Sequence, residues 1–254
     1  MRPRLVSVLT VAAVAFVVLA RMSLVDGAAE TEFGYSGDAG PGFWSELLPE
    51  WKICGSGGRQ SPIDISRADI DPALEPLRLN VGPSPIDLQN NGHTIEQDYH
   101  PGHTLVFDGR MFELLQFHFH TLSEHTIGGR QFPMEQHAVF AEAGTGRLAV
   151  VALLYEIGRE NPFLASLGPL PRKKGEHFSS ATAINLASSL TSPYVYYSYE
   201  GSLTTPPCSE TVTWIVLRER NTFSDAQFQA FRGVMGNNFR PVQPRAPLFS
   251  VRQR

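Results

Sequence analysis

The sequence predicts a mainly β fold of the α+β type, a single domain built on a large, mostly antiparallel twisted central sheet with short peripheral helices. Short apolar runs rich in Val, Ile, Phe, Tyr and Thr recur from Ile63 onward, as strands require. Turn signals such as Asn90-Asn-Gly and Asp108-Gly separate these runs. The 22 Gly and 19 Pro residues suit many turns, whereas helical periodicity is weak. These observations together disfavour a helical domain.

The predicted elements follow a loop-rich segment, residues 30–60, that holds one short helix. The predicted helices are Trp44–Leu48, Pro162–Leu167, Ala181–Leu190 and Ser224–Gly233, the last with Ser224 as N-cap. The main predicted strands are Thr104–Phe107, Leu114–His120, His137–Glu142, Leu148–Ile157, Tyr194–Tyr199 and Val212–Leu217. The chain contains no internal repeat, low-complexity tract or Ser/Gly linker, so we expect one domain over residues 30–254.

The first 29 residues have the order of a secretory signal peptide. Arg2 and Arg4 precede an apolar run, Leu5–Ala20, and small residues follow at Ala28 and Ala29. We predict a cleaved signal over residues 1–29 and export of the remainder; an uncleaved N-terminal anchor is the alternative.

Charge and cysteine content narrow the function classes. The whole chain has a net charge of -4, and the exported part is more acidic, so a nucleic-acid partner is not expected. The two cysteines, Cys54 and Cys208, both lie in the exported part. In an oxidising compartment such a pair favours one disulfide, with two separate buried thiols as the alternative.

Three histidines form the strongest chemical pattern. Gln116, His118 and His120 alternate along one predicted strand and therefore share a face, while the phenylalanines between them point to the opposite face. His137 lies on a later strand, two residues after Glu135. If the strands are neighbours, three imidazoles converge and leave one open position, which is the arrangement of catalytic zinc.

The polar neighbours make a metal site more specific than three satisfied core histidines. A metal-bound histidine needs an acceptor on its other ring nitrogen, and Gln116 and Glu135 each supply one. A rival interpretation takes His118, His120 and Glu124 as a cupin-like site for iron or manganese. The glycines expected around a cupin motif are absent at their usual offsets.

The chain resembles the α-class carbonic anhydrases, in particular exported bacterial members. The motifs that carry the resemblance span roughly residues 33 to 244 and are Gln60-Ser-Pro-Ile-Asp-Ile, Asn90-Asn-Gly-His-Thr, Gln116-Phe-His-Phe-His, Ser123-Glu-His, Glu135-Gln-His-Ala-Val, Gly201-Ser-Leu-Thr-Thr-Pro-Pro-Cys and Arg240-Pro-Val-Gln-Pro. The resemblance implies a periplasmic or extracellular enzyme that hydrates carbon dioxide reversibly to bicarbonate and a proton.

The resemblance also assigns the metal and its immediate partners. It implies zinc ligands His118, His120 and His137, held by Gln116, by a main-chain carbonyl near Asn238, and by Glu135, respectively. The ion lowers the pKa of a bound water to about 7. Thr204 then accepts the proton of the resulting hydroxide in a hydrogen bond, and Glu124 orients Thr204.

Substrate and proton handling are implied in the same way. The apolar wall for carbon dioxide comprises Val139, Val150, Leu203, Val212 and Trp214, and the water-ordering residues are Tyr35, Asn91 and Thr205. His93 matches the proton shuttle, because an imidazole exchanges protons near neutral pH. Glu96 stands where relatives often carry an amide, and we expect it to raise the pKa of the shuttle or to disturb its water chain.

The remaining assignments are structural. The resemblance pairs Cys54 with Cys208, and we expect that bridge to hold the Thr204 loop. His125 is expected to make hydrogen bonds beneath the site, and His100, His103 and His177 to lie at the surface.

Two further function classes compete with an active lyase. A non-catalytic binding module of this family would lack zinc histidines, and all three are present here. Esterase activity from the same hydroxide is expected as a side reaction only. We expect carbon dioxide and bicarbonate as the small-molecule partners, and the sequence also allows a homodimer.

Overall fold

The computed structural model describes residues 31–66, 68–190, 194–244 and 251–253. Their strands are β1 Asp64–Ile65, β2 Asp69–Ile70, β3 Arg78–Asn80, β4 Ser84–Asn90, β5 Ile95–Asp98, β6 Thr104–Phe107, β7 Arg110–His120, β8 Thr126–Ile127, β9 Arg130–Gln131, β10 Met134–Ala141, β11 Leu148–Ile157, β12 His177–Ile184, β13 Tyr196–Gly201, β14 Val212–Leu217, β15 Asn221–Phe223 and β16 Arg252–Gln253. Their α-helices are α1 Trp44–Leu47, α2 Ile53–Ser56, α3 Pro162–Ser166 and α4 Asp225–Met235. Single turns of 3₁₀-helix cover Gly37–Ala39, Pro49–Trp51 and Leu186–Ser189.

One large sheet dominates the described residues, which confirms the predicted mainly β fold. Its strand order is β12-β4-β5-β7-β10-β11-β14-β13-β16-β2, with β6 beside β7, β3 beside β6 and β15 beside β11. The centre from β4 to β11 is antiparallel, whereas the β11–β14 and β16–β2 pairs are parallel, so the sheet is mixed. Strands β1, β8 and β9 form a separate small sheet.

A β-bulge in β7 decides which side chains share a face of the sheet with His118 and His120. Leu114 pairs with Phe140 of β10 and Gln116 pairs with Val139, so Leu115 has no partner on that strand. The extra residue reverses the alternation of side chains along β7. As a result Phe112 and Leu114 before the bulge, and Phe117 and Phe119 after it, all enter one apolar core, and the histidines face the other side of the sheet.

The predicted helix over Ala181–Leu190 is wrong. Residues His177–Ile184 form strand β12, which pairs with β4, and only Leu186–Ser189 turns as a 3₁₀-helix. The Ala and Leu residues of this segment favour a helix intrinsically, but pairing with the edge of the sheet outweighs that preference. The other three predicted helices are present, and Ser224 caps α4 in a reciprocal capping box with Gln227.

The predicted signal peptide, residues 1–29, lies outside the described residues. Among the residues that the structure does describe, no helix combines the length and apolar character needed to cross a membrane.

Candidate metal centre

Three histidines on two adjacent strands face one another. His118 of β7 pairs directly with His137 of β10, and His120 pairs with Glu135. One ring nitrogen from each of His118, His120 and His137 lies within 4.8 Å of the other two. Neighbouring antiparallel strands therefore bring together residues that are 17 to 19 positions apart in sequence.

Each imidazole is fixed through its other nitrogen by a different acceptor. Nδ1 of His118 donates to Gln116 Oε1 over 2.8 Å, and Nδ1 of His120 donates to the Asn238 carbonyl over 2.7 Å. Nε2 of His137 donates to Glu135 Oε1 over 2.7 Å. His118 and His120 thus present Nε2 to the common point, whereas His137 presents Nδ1.

Burial favours the neutral forms of His118 and His120, which metal binding requires. Burial lowers the pKa of His118 well below its ordinary value, and the neighbouring His120 and His137 lower it further. Burial also lowers the pKa of His120, against the opposing effect of Glu124. In the described residues the buried Nε2 of His120 has no hydrogen-bond partner, although a buried polar atom normally has one. A cation with an affinity for imidazole nitrogen would satisfy it.

Glu135 is completely buried and organises the floor of the site. Burial alone would raise the pKa of its carboxyl, but His125, His137 and their hydrogen bonds hold that pKa well below the ordinary value. Its Oε2 accepts from the main-chain N–H groups of Glu124 and His125, at 2.9 and 2.8 Å. The carboxylate therefore fixes His137 and the following turn together.

His125 extends this network away from the centre. Its Nδ1 donates to Glu135 Oε1 over 2.6 Å, and its Nε2 lies 2.6 Å from the Tyr199 hydroxyl, which is 3.1 Å from Ser61 Oγ. Since His125 and His137 each donate a hydrogen bond to Glu135 Oε1, this second cluster is satisfied without a metal. The hydrogen-bonding role expected for His125 matches these contacts. Tyr199 was not singled out from sequence, because nothing in its local pattern distinguishes it from a core tyrosine.

Glu124 lies beside the three histidines. Its Oε1 accepts from the main-chain N–H of Arg240 over 2.8 Å. Its Oε2 has no hydrogen-bond partner among the described residues and lies 3.6 Å from His120 Nε2 and 4.0 Å from His137 Nδ1. One oxygen is thus fixed to the backbone, and the other is free to act at the site.

Arg240 is a buried residue to which the sequence analysis gave no role. Its guanidinium donates to Gln60 Oε1 and to the main-chain carbonyls of Ser61 and Cys54, at 2.9, 2.7 and 2.7 Å. Through its main-chain N–H it holds Glu124, so it connects the N-terminal segment with the site. The motif that begins at Arg240 indicated from sequence that this residue matters. Its hydrogen-bond partners, however, are seen only in the folded structure.

Thr204 lies in a loop that three contacts hold. The Leu203 N–H donates to the Ser209 carbonyl over 3.0 Å, and the Cys208 N–H donates to the Thr205 carbonyl over 2.9 Å. The predicted disulfide joins Cys208 to Cys54. Thr204 itself is buried. Within the described ranges no hydrogen bond joins its hydroxyl to Glu124, so the contact implied by the family resemblance is not formed here.

The predicted apolar wall is one continuous cluster. Its members Val139, Val150, Leu203, Val212 and Trp214 all belong to the same packed group. Val139 pairs with Val150, and Val150 pairs with Trp214, which places the three in one row across β10, β11 and β14. The Trp214 ring lies 4.9 Å from the ring of His137. This apolar row therefore lies next to His137, which Trp214 contacts.

His93 lies in the turn between β4 and β5. Asn91 shapes this turn, because its Oδ1 accepts from the main-chain N–H groups of His93 and Thr94, both at 2.9 Å. The His93 ring stacks on Phe33, with centroids 4.0 Å apart and planes inclined by 9°. Burial lowers the pKa of His93, and the charge of Lys174 lowers it further. Phe33 has no local sequence signal for this contact.

The structure also places the remaining candidates. The Tyr35 hydroxyl is buried without a hydrogen-bond partner among the described residues, and burial raises its pKa well above the ordinary value. His100 and His177 are exposed, as expected. His103, expected at the surface rather than as a ligand, is half-buried: it accepts from the Gly82 N–H over 3.0 Å, packs edge-on against Tyr99, and is in neither group of residues that could hold a metal.

Glu96 is a half-buried carboxyl on β5. Burial raises its pKa to about 7, with a further contribution from the charge of Asp98. It pairs across strands with His118, and its Oε1 accepts from Gln89 Nε2 over 3.0 Å.

Comparisons with known proteins agree with this geometry. A family model described as eukaryotic-type carbonic anhydrase matches residues 39–247. The carbonic anhydrase of Pectobacterium carotovorum is 40% identical over 214 residues, 84% of this chain and 87% of that protein, and the one of Neisseria gonorrhoeae is 38% identical over 244 residues, 95% and 94% of the two chains. A solved structure of alpha-carbonic anhydrase from Thermovibrio ammonificans with the inhibitor sulfanilamide is 39% identical and superimposes with a TM-score of 0.83 over 88% of this chain and 99% of that chain. The chain therefore belongs to the α-class, eukaryotic-type carbonic anhydrases, a family of zinc-dependent enzymes.

Proposed function

We propose that this enzyme binds one zinc ion through His118, His120 and His137 and uses it for the reversible hydration of carbon dioxide to bicarbonate and a proton. The observation that carries the proposal is the orientation of the three rings. Each has one nitrogen fixed by an acceptor and directs the other toward a common point. Three neutral nitrogen donors with an open fourth position suit catalytic zinc. When bound, zinc would lower the pKa of water to about 7 and so supply hydroxide at neutral pH.

Thr204 and Glu124 are proposed to orient the nucleophile. Glu124 Oε2 is buried and has no partner among the described residues, so it has the free lone pairs needed to accept a hydrogen bond from the Thr204 hydroxyl. The Thr204 oxygen can then only accept a hydrogen bond from the nucleophile, which turns a lone pair of the nucleophile toward the substrate. The main-chain N–H of Arg240 keeps the carboxylate of Glu124 in place.

The apolar cluster next to His137 is proposed to receive carbon dioxide. Val139, Val150 and Trp214 offer no hydrogen-bonding group toward the substrate, because the Trp214 Nε1–H donates to the Ser202 carbonyl over 3.0 Å. An apolar wall excludes water and holds an apolar gas near the nucleophile.

His93 is proposed to transfer the released proton to solvent, with Tyr35, Asn91 and Thr205 ordering the water between His93 and the metal. His93 is half-buried, so its ring is partly accessible to solvent, with which a shuttle must exchange the proton. Substitution His93→Ala should slow turnover in weak buffer, and added imidazole should restore it. Equal turnover of the variant and the parent in weak buffer would remove His93 from the mechanism.

The disulfide and the N-terminal sequence are the basis for proposing that the protein is exported. The Cys54–Cys208 disulfide is typical of oxidising compartments, and residues 1–29 have the pattern of a signal peptide. We propose that the signal is removed and that residues 30–254 act in the periplasm or outside the cell. N-terminal sequencing of the exported protein tests this: a sequence beginning near Thr31 supports it, and one beginning at the initiator methionine contradicts it.

A stopped-flow assay with a pH indicator tests the catalytic proposal. Zinc-loaded protein should accelerate carbon dioxide hydration far above the buffer rate, and His137→Ala should lose zinc and activity together. His100→Ala is the matched control, because His100 is exposed and should keep both. Zinc-loaded protein that gives only the buffer rate would refute the proposal and favour a non-catalytic binding module.

A further inference from the structure

Acidic side chains continue the sheet face that carries the metal histidines. On β5, Glu96 pairs with His118 and Asp98 pairs with Gln116, so the two carboxyls share a face with the site. On β4, Gln89 pairs with Glu96, and Asp87 lies two residues before Gln89 on the same face. Glu96, Asp98 and Asp87 are called the acidic strip below.

The carboxyls of the acidic strip affect one another. The charge of Asp98 adds to burial in raising the pKa of Glu96, and the charge of Asp87 adds to burial in raising the pKa of Asp98. Glu96 is held toward β4 by its hydrogen bond from Gln89. These effects require the three groups to lie near one another on the sheet surface.

The groups packed around the strip leave its negative charge largely uncompensated. Within the described part of the chain, no salt bridge joins an Arg or Lys to any of the three carboxylates. Beside β4, strand β12 contributes Ser179, which donates to Asp87 over 3.0 Å, and His177, which lowers the pKa of Asp98. The nearby Lys174, which packs over Gly92, forms its salt bridge with Glu32.

We propose that the acidic strip makes the metal site select against anionic ligands, bicarbonate included, and in favour of cationic ones. This inference rests on the proposed function, because it concerns ligands that reach the same metal. Strands lie about 4.8 Å apart, so Glu96 is one strand from His118 and within a Debye length of about 8–10 Å at moderate ionic strength.

The consequence for the reaction follows from charge. Carbon dioxide is neutral and its approach is not affected by the strip. Bicarbonate carries a negative charge, so the strip weakens its retention and helps the product to leave. Product inhibition by bicarbonate is therefore weaker in the parent than in a variant without the charge.

Three metal-directed probes that share one aryl sulfonamide group test the proposal by binding rather than by activity. They are benzenesulfonamide and its para-carboxy and para-aminomethyl derivatives, which differ in charge at the far end of the ring. Dissociation constants are measured by calorimetry on the zinc-loaded protein near pH 8.5, which lies above the raised pKa of about 7 of Glu96. Glu96→Gln keeps an acceptor for Gln89 and removes the charge. Glu219→Gln is the matched control, since Glu219 is an exposed acid after β14, four strands away.

The proposal expects Glu96→Gln to tighten binding of the carboxylate probe about three- to tenfold relative to the unsubstituted probe, and to weaken binding of the aminomethyl probe relative to it, because all three probes bind the metal through the same sulfonamide. Raising the ionic strength should reduce these differences, and Glu219→Gln should change none of them. Equal changes in the dissociation constants of all three probes, or no change, would contradict the selectivity proposed for the acidic strip. The proposed function would then still stand. Parent protein that fails to bind even the uncharged probe would overturn the proposed function, and the strip with it.

Discussion

The imidazole of His93 lies flat against the phenyl ring of Phe33, with 4.0 Å between the centroids. The contact joins the first described segment of the chain to the turn that carries the proposed proton shuttle. Burial is the main cause of the lowered pKa of His93, so removing the Phe33 ring should expose the imidazole and raise that pKa toward the ordinary 6.5.

An NMR titration of the His93 ring in Phe33→Ala tests this prediction. Phe33→Trp keeps an aromatic surface over the ring and serves as the control, with a His93 pKa close to that of the parent. A His93 pKa that is the same in Phe33→Ala and in the parent would show that the stacking does not set it.

The raised pKa of Glu96 predicts a pH-dependent stability. The folded protein binds the Glu96 proton up to about pH 7, whereas the unfolded chain releases it near the ordinary 4.5. The stabilising effect of the protonated carboxyl is therefore fully present below pH 4.5 and is lost as pH rises through 7. Relative to Glu96→Gln, the parent should lose up to about 3 kcal/mol of unfolding free energy over this range.

Urea denaturation of the zinc-loaded parent and of Glu96→Gln across this pH range measures the difference. Glu96→Gln should have the higher unfolding free energy at pH 8, and the difference from the parent should decrease toward pH 5. A constant gap at all pH values would contradict a buried, titrating carboxyl at this position.

The disulfide is predicted to stabilise the fold and the Thr204 loop together. Cys54 and Cys208 are separated by 154 residues, and in the chain-entropy model closure of such a loop contributes about 4–5 kcal/mol at most. Replacing both cysteines by serine should lower the thermal midpoint and reduce activity, because Cys208 lies four residues after Thr204.

Measurements of zinc content and turnover distinguish the effect of the disulfide on the fold from its effect on the Thr204 loop. The serine double variant should retain zinc, since neither cysteine belongs to the group of residues that could hold the metal, and should lose turnover through the loop. A double variant with the thermal midpoint and turnover of the parent would contradict both expectations.

Ser198 is predicted to be replaceable at little cost. Its hydroxyl is fully buried and has no hydrogen-bond partner among the described residues. An unsatisfied buried hydroxyl destabilises the folded state, so Ser198→Ala should leave the unfolding free energy unchanged or raise it by about 1 kcal/mol.

Ser202→Ala is the matched comparison for this prediction. The Ser202 hydroxyl is also buried, but it accepts from the Ser61 N–H over 2.9 Å and donates to the Leu203 carbonyl over 2.8 Å. Chemical denaturation should show a lower unfolding free energy for Ser202→Ala than for the parent, and no decrease for Ser198→Ala. Equal losses for the two variants would contradict the difference in bonding.

Much of the site could be predicted from local patterns in the sequence. Alternation along β7 placed His118 and His120 on one face, and the polar residues two positions before His118 and His137 supplied their acceptors. These relationships depend on spacing within a strand, which sequence records directly. The strand Thr104–Phe107 was also predicted with its observed bounds.

The relationships that sequence could not give depend on distant pairing. The bulge at Leu115 depends on the register with β10, and the stacking of Phe33 on His93 joins segments 60 residues apart. The strand His177–Ile184 forms because β4 offers it an edge, which overrides the helical preference of its alanines. The buried position of Arg240 is possible because its guanidinium donates to three acceptors, and only folding brings those acceptors together.

Anomalous scattering at the zinc absorption edge, from crystals of the zinc-loaded protein, locates the metal directly. We expect one strong peak per chain, about 2.0–2.1 Å from His118 Nε2, His120 Nε2 and His137 Nδ1. Glu124 should stay outside bonding distance of the ion. A peak bonded to the Glu124 carboxylate, or a peak between His125 and Glu135 in place of the three-histidine position, would contradict it.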